Sequence, residues 1–167
     1  MKHTNLETAL KGRALTDVVL TGFVDQDDVP VQFHSVLRFL YFEFGTLLLE
    51  MATLGDSGRM QLTFVDVPCS VATEEDMLPA VTSIRQQVLR DTESDNRIAM
   101  LRLWDASNVL GELVCAAARL DLVNGQTIFV DPSYHFGIVV GGREQQEIWK
   151  QNCSALSASQ VDILLSD

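Results

Sequence analysis

Between Leu15 and Asp66 the chain is a succession of short β-branched and aromatic runs, each closed by residues that turn the backbone. The β-branched and aromatic content of these runs reads as strand, and short Gly-containing connections join antiparallel neighbours. Leu15 to Val24, with Val18, Val19 and Thr21, predicts a first strand that ends in the acidic loop Asp25-Gln26-Asp27-Asp28-Val29-Pro30. Val36 to Phe44 predicts a second strand, with Arg38 and Glu43 on opposite faces. Gly45-Thr46 turns the chain into Leu47 to Thr53, and Gly55-Asp56-Ser57-Gly58 turns it again. Met60 to Asp66 then alternates apolar and polar residues with the period of a half-buried strand.

A helix is expected next, over about 76–91. Thr73-Glu74-Glu75-Asp76 offers capping oxygens and concentrates acid where a helix N-terminus is partially positive. Met77, Val81, Ile84 and Val88, with Leu78 and Leu89, trace one apolar stripe, and Pro79 fits only if it falls in the first turn. Arg97 to Trp104 and Leu110 to Val123 return to strand, although Ala116-Ala117-Ala118 suits a helix equally well. Asn124-Gly125 is the sharpest hairpin signal and predicts a two-residue type I′ turn into Gln126 to Val130. Asp131-Pro132-Ser133 begins another turn, and His135 to Val140 forms a last strand stopped by Gly141-Gly142. Short helices are expected at Leu6 to Leu10 and at Glu144 to Asn152. The expected fold is therefore α+β: a mainly antiparallel meander with one amphipathic helix packed on the sheet and a short C-terminal helix, all in one domain over 1–167.

Twelve Lys+Arg against 23 Asp+Glu give a net charge of −11. A surface so negative repels phosphate backbones and anionic lipid, which disfavours nucleic-acid and membrane partners and favours a basic protein. The start of the chain carries no apolar leader segment, and the longest strictly apolar run, Leu113 to Ala118, is far too short to cross a bilayer, so a cytoplasmic location is expected. Cys69, Cys115 and Cys153 are odd in number and widely spaced, which fits neither a disulfide framework nor a zinc site.

No catalytic motif emerges. Asp25, Asp27 and Asp28 resemble the start of a calcium loop, but Pro30 and Val36 stand where an EF-hand needs Gly and Glu, so neither metal nor cofactor is expected. Gly141-Gly142-Arg143 lacks a phosphate-loop pattern and reads as a strand-ending turn. The only histidines are His3, His34 and His135, and His135 stands in the polar cluster Asp131-Pro132-Ser133-Tyr134-His135.

Three functional readings follow. The first is a non-catalytic acidic binding protein, of the inhibitor or immunity type, that meets a basic partner through Asp25, Asp27, Asp28, Glu74, Glu75 and Asp76. The second is a small-ligand protein or enzyme with a pocket lined by Asp131, Tyr134, His135 and Arg143. The third is an assembly subunit that pairs through an exposed strand edge. Trp104 and Trp149 are available as interface anchors or as core.

Overall fold

The structure, a computed structural model, describes residues 3–71, 74–109, 111–153 and 159–165. Strands dominate, and all their pairings are antiparallel. Helix α1 (His3–Leu10) leads into β1 (Asp17–Asp25), β2 (Phe33–Phe44), β3 (Leu47–Thr53) and β4 (Met60–Val65), the meander expected from the turn spacing. Next come β5 (Met77–Ser83), α2 (Arg85–Val88), β6 (Ile98–Trp104), β7 (Ser107–Val109), β8 (Glu112–Cys115) and β9 (Ala117–Leu122). The chain continues with β10 (Thr127–Tyr134), β11 (Gly137–Gly141), α3 (Arg143–Asn152) and β12 (Gln160–Leu164).

The strands form two sheets. The larger has the order β5-β1-β2-β3-β4-β8-β7, and the smaller β11-β10-β9-β6-β12. One core lies between them, drawing Val18, Leu40 and Phe42 from the larger sheet and Leu101, Leu120 and Val130 from the smaller, with Leu6 and Leu10 of α1 added at its end. Alternation along β2 puts Leu40, Phe42 and Phe44 into this core and turns Phe39 and Tyr41 to the outer face, where they pack with Val19, Leu48 and Val65. The aromatic run is thus buried on both faces, which is why it contains so few polar residues.

The outer face at Tyr41 is crossed by the connection from β4 to β5, on the far side of the sheet. The Cys69 amide donates to Tyr41 Oη at 2.9 Å, and that hydroxyl donates to Glu50 Oε2 at 2.8 Å. Burial, the largest influence, holds the Tyr41 phenol well above its ordinary pKa, so it stays a donor throughout the physiological range.

The structure corrects several expectations, among them that His135 to Val140 is the last strand, since β12 follows it. No helix spans 76–91: Met77–Ser83 is a strand paired with β1, and only Arg85–Val88 is helical. Thr73, the expected cap, lies outside the described residues. Pro79 explains much of this. Ile84 N donates to Val18 O and Gln26 N to Asp76 O, so the residues between alternate, and Pro79, opposite Phe23, turns its missing N–H to the open edge. A helix interior would have lost a hydrogen bond there. The stripe itself is divided, with Ile84, Val88 and Leu89 packed on the core while Leu78 and Val81 are exposed.

The expected strand Leu110 to Val123 is two strands in different sheets, changing over at Ala116, whose amide donates to Trp104 O; Leu110 lies outside the described residues. The Asn124-Gly125 connection has three residues rather than two. Gly125 N donates to Leu122 O, Leu122 N to Gln126 O, and only Gly125 takes a positive φ, of 83°. That is a type I turn closed by a left-handed glycine. β10 also continues through Asp131-Pro132-Ser133, where a turn is expected, with its pairing to β11 interrupted between Asp131 and Tyr134.

Trp104, Phe129 and Trp149 form a buried aromatic trio beneath α3, with ring centroids 5.5 to 5.7 Å apart. Both tryptophans are therefore core residues. Among the described residues no helix is long and apolar enough to cross a membrane.

Candidate functional site

The two acidic segments singled out in the sequence are distant along the chain, and the β1–β5 pairing brings them together. Asp25 ends β1 opposite Met77, and the Gln26 amide donates to Asp76 O at 3.1 Å. The carboxylates of Asp25, Asp27 and Asp76 lie within 4.8 Å of one another at this corner. Asp25 Oδ1 accepts from the Asp27 amide at 2.9 Å, which fixes the loop, and the Met77 amide donates to Glu74 O, which turns the chain into β5. Glu74 and Glu75 are exposed beside Asp76.

Asp28 does not join the cluster. Its Oδ2 lies 2.6 Å from His34 Nε2, and that imidazole stacks on Phe23 with centroids 5.1 Å apart. Among the described residues no cation pairs with Asp25, Asp27 or Asp76, whereas Asp95, Asp105, Asp121 and Asp162 each meet an arginine. Three carboxylates this close repel one another by about 1 kcal/mol per pair in water. They are suited to holding a shared cation, whether a metal ion or a partner's ammonium or guanidinium group. Apolar side chains also stand exposed on the same two segments: Val29 is 95% exposed, Val31 63%, Leu78 53% and Val81 59%.

The second predicted cluster is divided. Asp131 is fully buried: Oδ1 accepts from the Ser133 amide (2.9 Å) and hydroxyl (2.6 Å), and Oδ2 from Gln145 Nε2 (2.9 Å). The same Gln145 amide reaches Tyr134 Oη at 3.3 Å. Tyr134 and His135 line a cleft of about 320 Å³ with Arg38, Asp56 and Phe136. Gly137, at φ +122°, closes this turn so tightly on the Leu37 carbonyl that a β-carbon would collide with it. Arg143 belongs elsewhere, to a cleft of about 420 Å³ shared with Arg90, Gly125, Thr127, Gly142 and Glu144. The four residues Asp131, Tyr134, His135 and Arg143 thus line no single pocket.

Sequence reasoning missed Arg38, Gln145 and Arg90. Arg38 and Arg90 carry no local motif, and Gln145 acquires its role only when α3 packs against β10. Of the thiols, Cys115 is enclosed and pushed up to about 12 by burial, which suits a core residue and not a nucleophile.

Compared with known proteins, the chain matches no family model, no curated protein and no solved structure.

Proposed function

We propose that the protein is a non-catalytic binding module that docks on a basic protein through the corner formed by Asp25, Asp27 and Asp76. The observation carrying this reading is the convergence of three uncompensated carboxylates from two chain segments, in a protein whose other surface aspartates so often pair with arginine. An isolated charge cluster of this kind lowers stability slightly and is useful when a cationic group arrives. Glu74 and Glu75 extend the negative rim, Asp28 supports the loop through His34, and Val29, Val31 and Leu78 supply apolar contact area. A cytoplasmic inhibitor or immunity protein that covers a cationic active site, such as a nuclease's, has these requirements.

The test compares tagged wild type with the D25N/D27N/D76N variant as baits in the same lysate, eluted by increasing salt. Wild type is expected to retain a basic protein at low salt and release it as salt rises. The variant should retain it at least roughly tenfold more weakly, because close charge pairs at interfaces are worth more than 1 kcal/mol. Equal retention by both baits would remove the corner from the binding face.

A further inference from the structure

We propose that the cleft between the Arg90 segment and the start of α3 is a binding site for a small phosphate-bearing anion. It is independent of the acidic corner and has the opposite charge. Arg90 approaches from the segment after α2, and Arg143 from the first residue of α3, and both line the cleft of about 420 Å³. Among the described residues the guanidinium groups of Arg59, Arg97, Arg102 and Arg119 each meet an aspartate; those of Arg13, Arg38, Arg85, Arg90 and Arg143 do not, and of these five Arg90 and Arg143 are the two that share one cleft. In a chain with nearly twice as many acids as bases, two exposed arginines without a carboxylate partner on the walls of one cleft make a local positive site suited to an anion.

The walls are fixed before any ligand arrives. Gln126 Oε1 accepts from the Arg90 amide at 2.9 Å, and its Nε2 donates to Val88 O at 2.6 Å, which bolts the Arg90 segment to the β9–β10 hairpin. Asn124 holds the same hairpin to Ser94 Oγ at 2.8 Å and to Asn96 Oδ1 at 2.9 Å. Gly125 and Gly142 leave the backbone open to close approach. Gly142, at the N-cap of α3, offers no side chain to the first-turn amides, so those donors and the positive end of the helix add to the two arginines. Glu144 is the one carboxylate on the rim and opposes the anion.

The test is thermal unfolding and amide chemical-shift titration with inorganic phosphate, pyrophosphate and glucose 6-phosphate, at ionic strength held constant with sodium chloride. Saturable stabilisation is expected, strongest with pyrophosphate, with shifts at Arg90, Gly125 and Gly142 through Gln145. R90Q and R143Q should each weaken binding about tenfold, the usual scale for losing a charge-assisted contact, and E144Q should tighten it. R38Q, in the other cleft, should bind as wild type does. Glucose 6-phosphate binding more tightly than inorganic phosphate would assign a phosphorylated metabolite; equal binding would assign the inorganic ion. A response linear in salt, or one unchanged in R90Q and R143Q, would overturn the proposal.

Discussion

Asp131 is fully buried, and its two oxygens receive three donors from Ser133 and Gln145. Asp25, Asp27 and Asp76 stand at the surface, where among the described residues one backbone amide, that of Asp27, donates to the Asp25 carboxylate. The first carboxylate is enclosed by dipoles that its own strand and α3 provide, so it ties secondary structure together. The other three are placed side by side at a cost in mutual repulsion, with their outward oxygens left to solvent. Sequence composition treats all four as equal contributions to acidity, but only the three at the corner are free to meet another molecule.

If the contrast is correct, substitutions at the two places must separate stability from recognition. Asp131→Ala removes a buried acceptor from two donors of exposed Ser133 and one of half-buried Gln145, and should lower unfolding free energy by roughly 1–3 kcal/mol. Urea denaturation measures this, and a loss under about 0.5 kcal/mol would show that the network is not structural. Tyr41→Phe removes the acceptor for Cys69 N and the donor to Glu50, with an expected loss of about 1–2 kcal/mol. The same substitution should raise hydrogen exchange at 66–71, because the crossing segment loses its anchor; unchanged exchange there would place the anchor elsewhere.

A smaller effect is expected at β12. Arg102 meets Asp162 at 2.7 Å across the β6–β12 pairing and, as the largest influence, holds its carboxyl below the ordinary 3.8. A carboxyl lowered on folding stabilises the protein above its unfolded pKa, and that contribution disappears as pH falls through the folded value. The stability difference between wild type and D162N should therefore be full at neutral pH and vanish in acid below 3.8. A difference that instead grew with acid would reverse the assignment.

The strands of the meander were legible because Gly45, Gly55 and Gly58 mark turns between short apolar and aromatic runs, of which Met60 to Asp66 also alternates with period two. The 76–91 segment was not, because its apolar spacing suits a helix while Pro79 and the pairing with β1 favour an edge strand. No single-segment pattern contains that pairing, in which β5 lies four strands away from β4 in the sheet. The same non-local pairing made the acidic corner: Asp25 to Asp28 reads as an acidic loop and Glu74 to Asp76 as a helix start, yet their meeting depends on the register Asp25 to Met77. In the 131–143 stretch the residues were visible, but β10, the following turn and α3 direct them to different places. Tyr134 and His135 share a cleft with Arg38 of β2, and Arg143 shares another with Arg90.

The central claim, that the corner carboxylates are held for recognition and not for the fold, is tested most directly by unfolding D25N/D27N/D76N beside wild type at low and high salt. Asn at position 25 keeps an oxygen for the Asp27 amide, so only charge is removed. The expected result is a variant at least as stable as wild type at low salt, with the difference shrinking as salt screens the repulsion. A variant clearly less stable at every salt concentration would mean that these carboxylates hold the fold together, and would contradict the account.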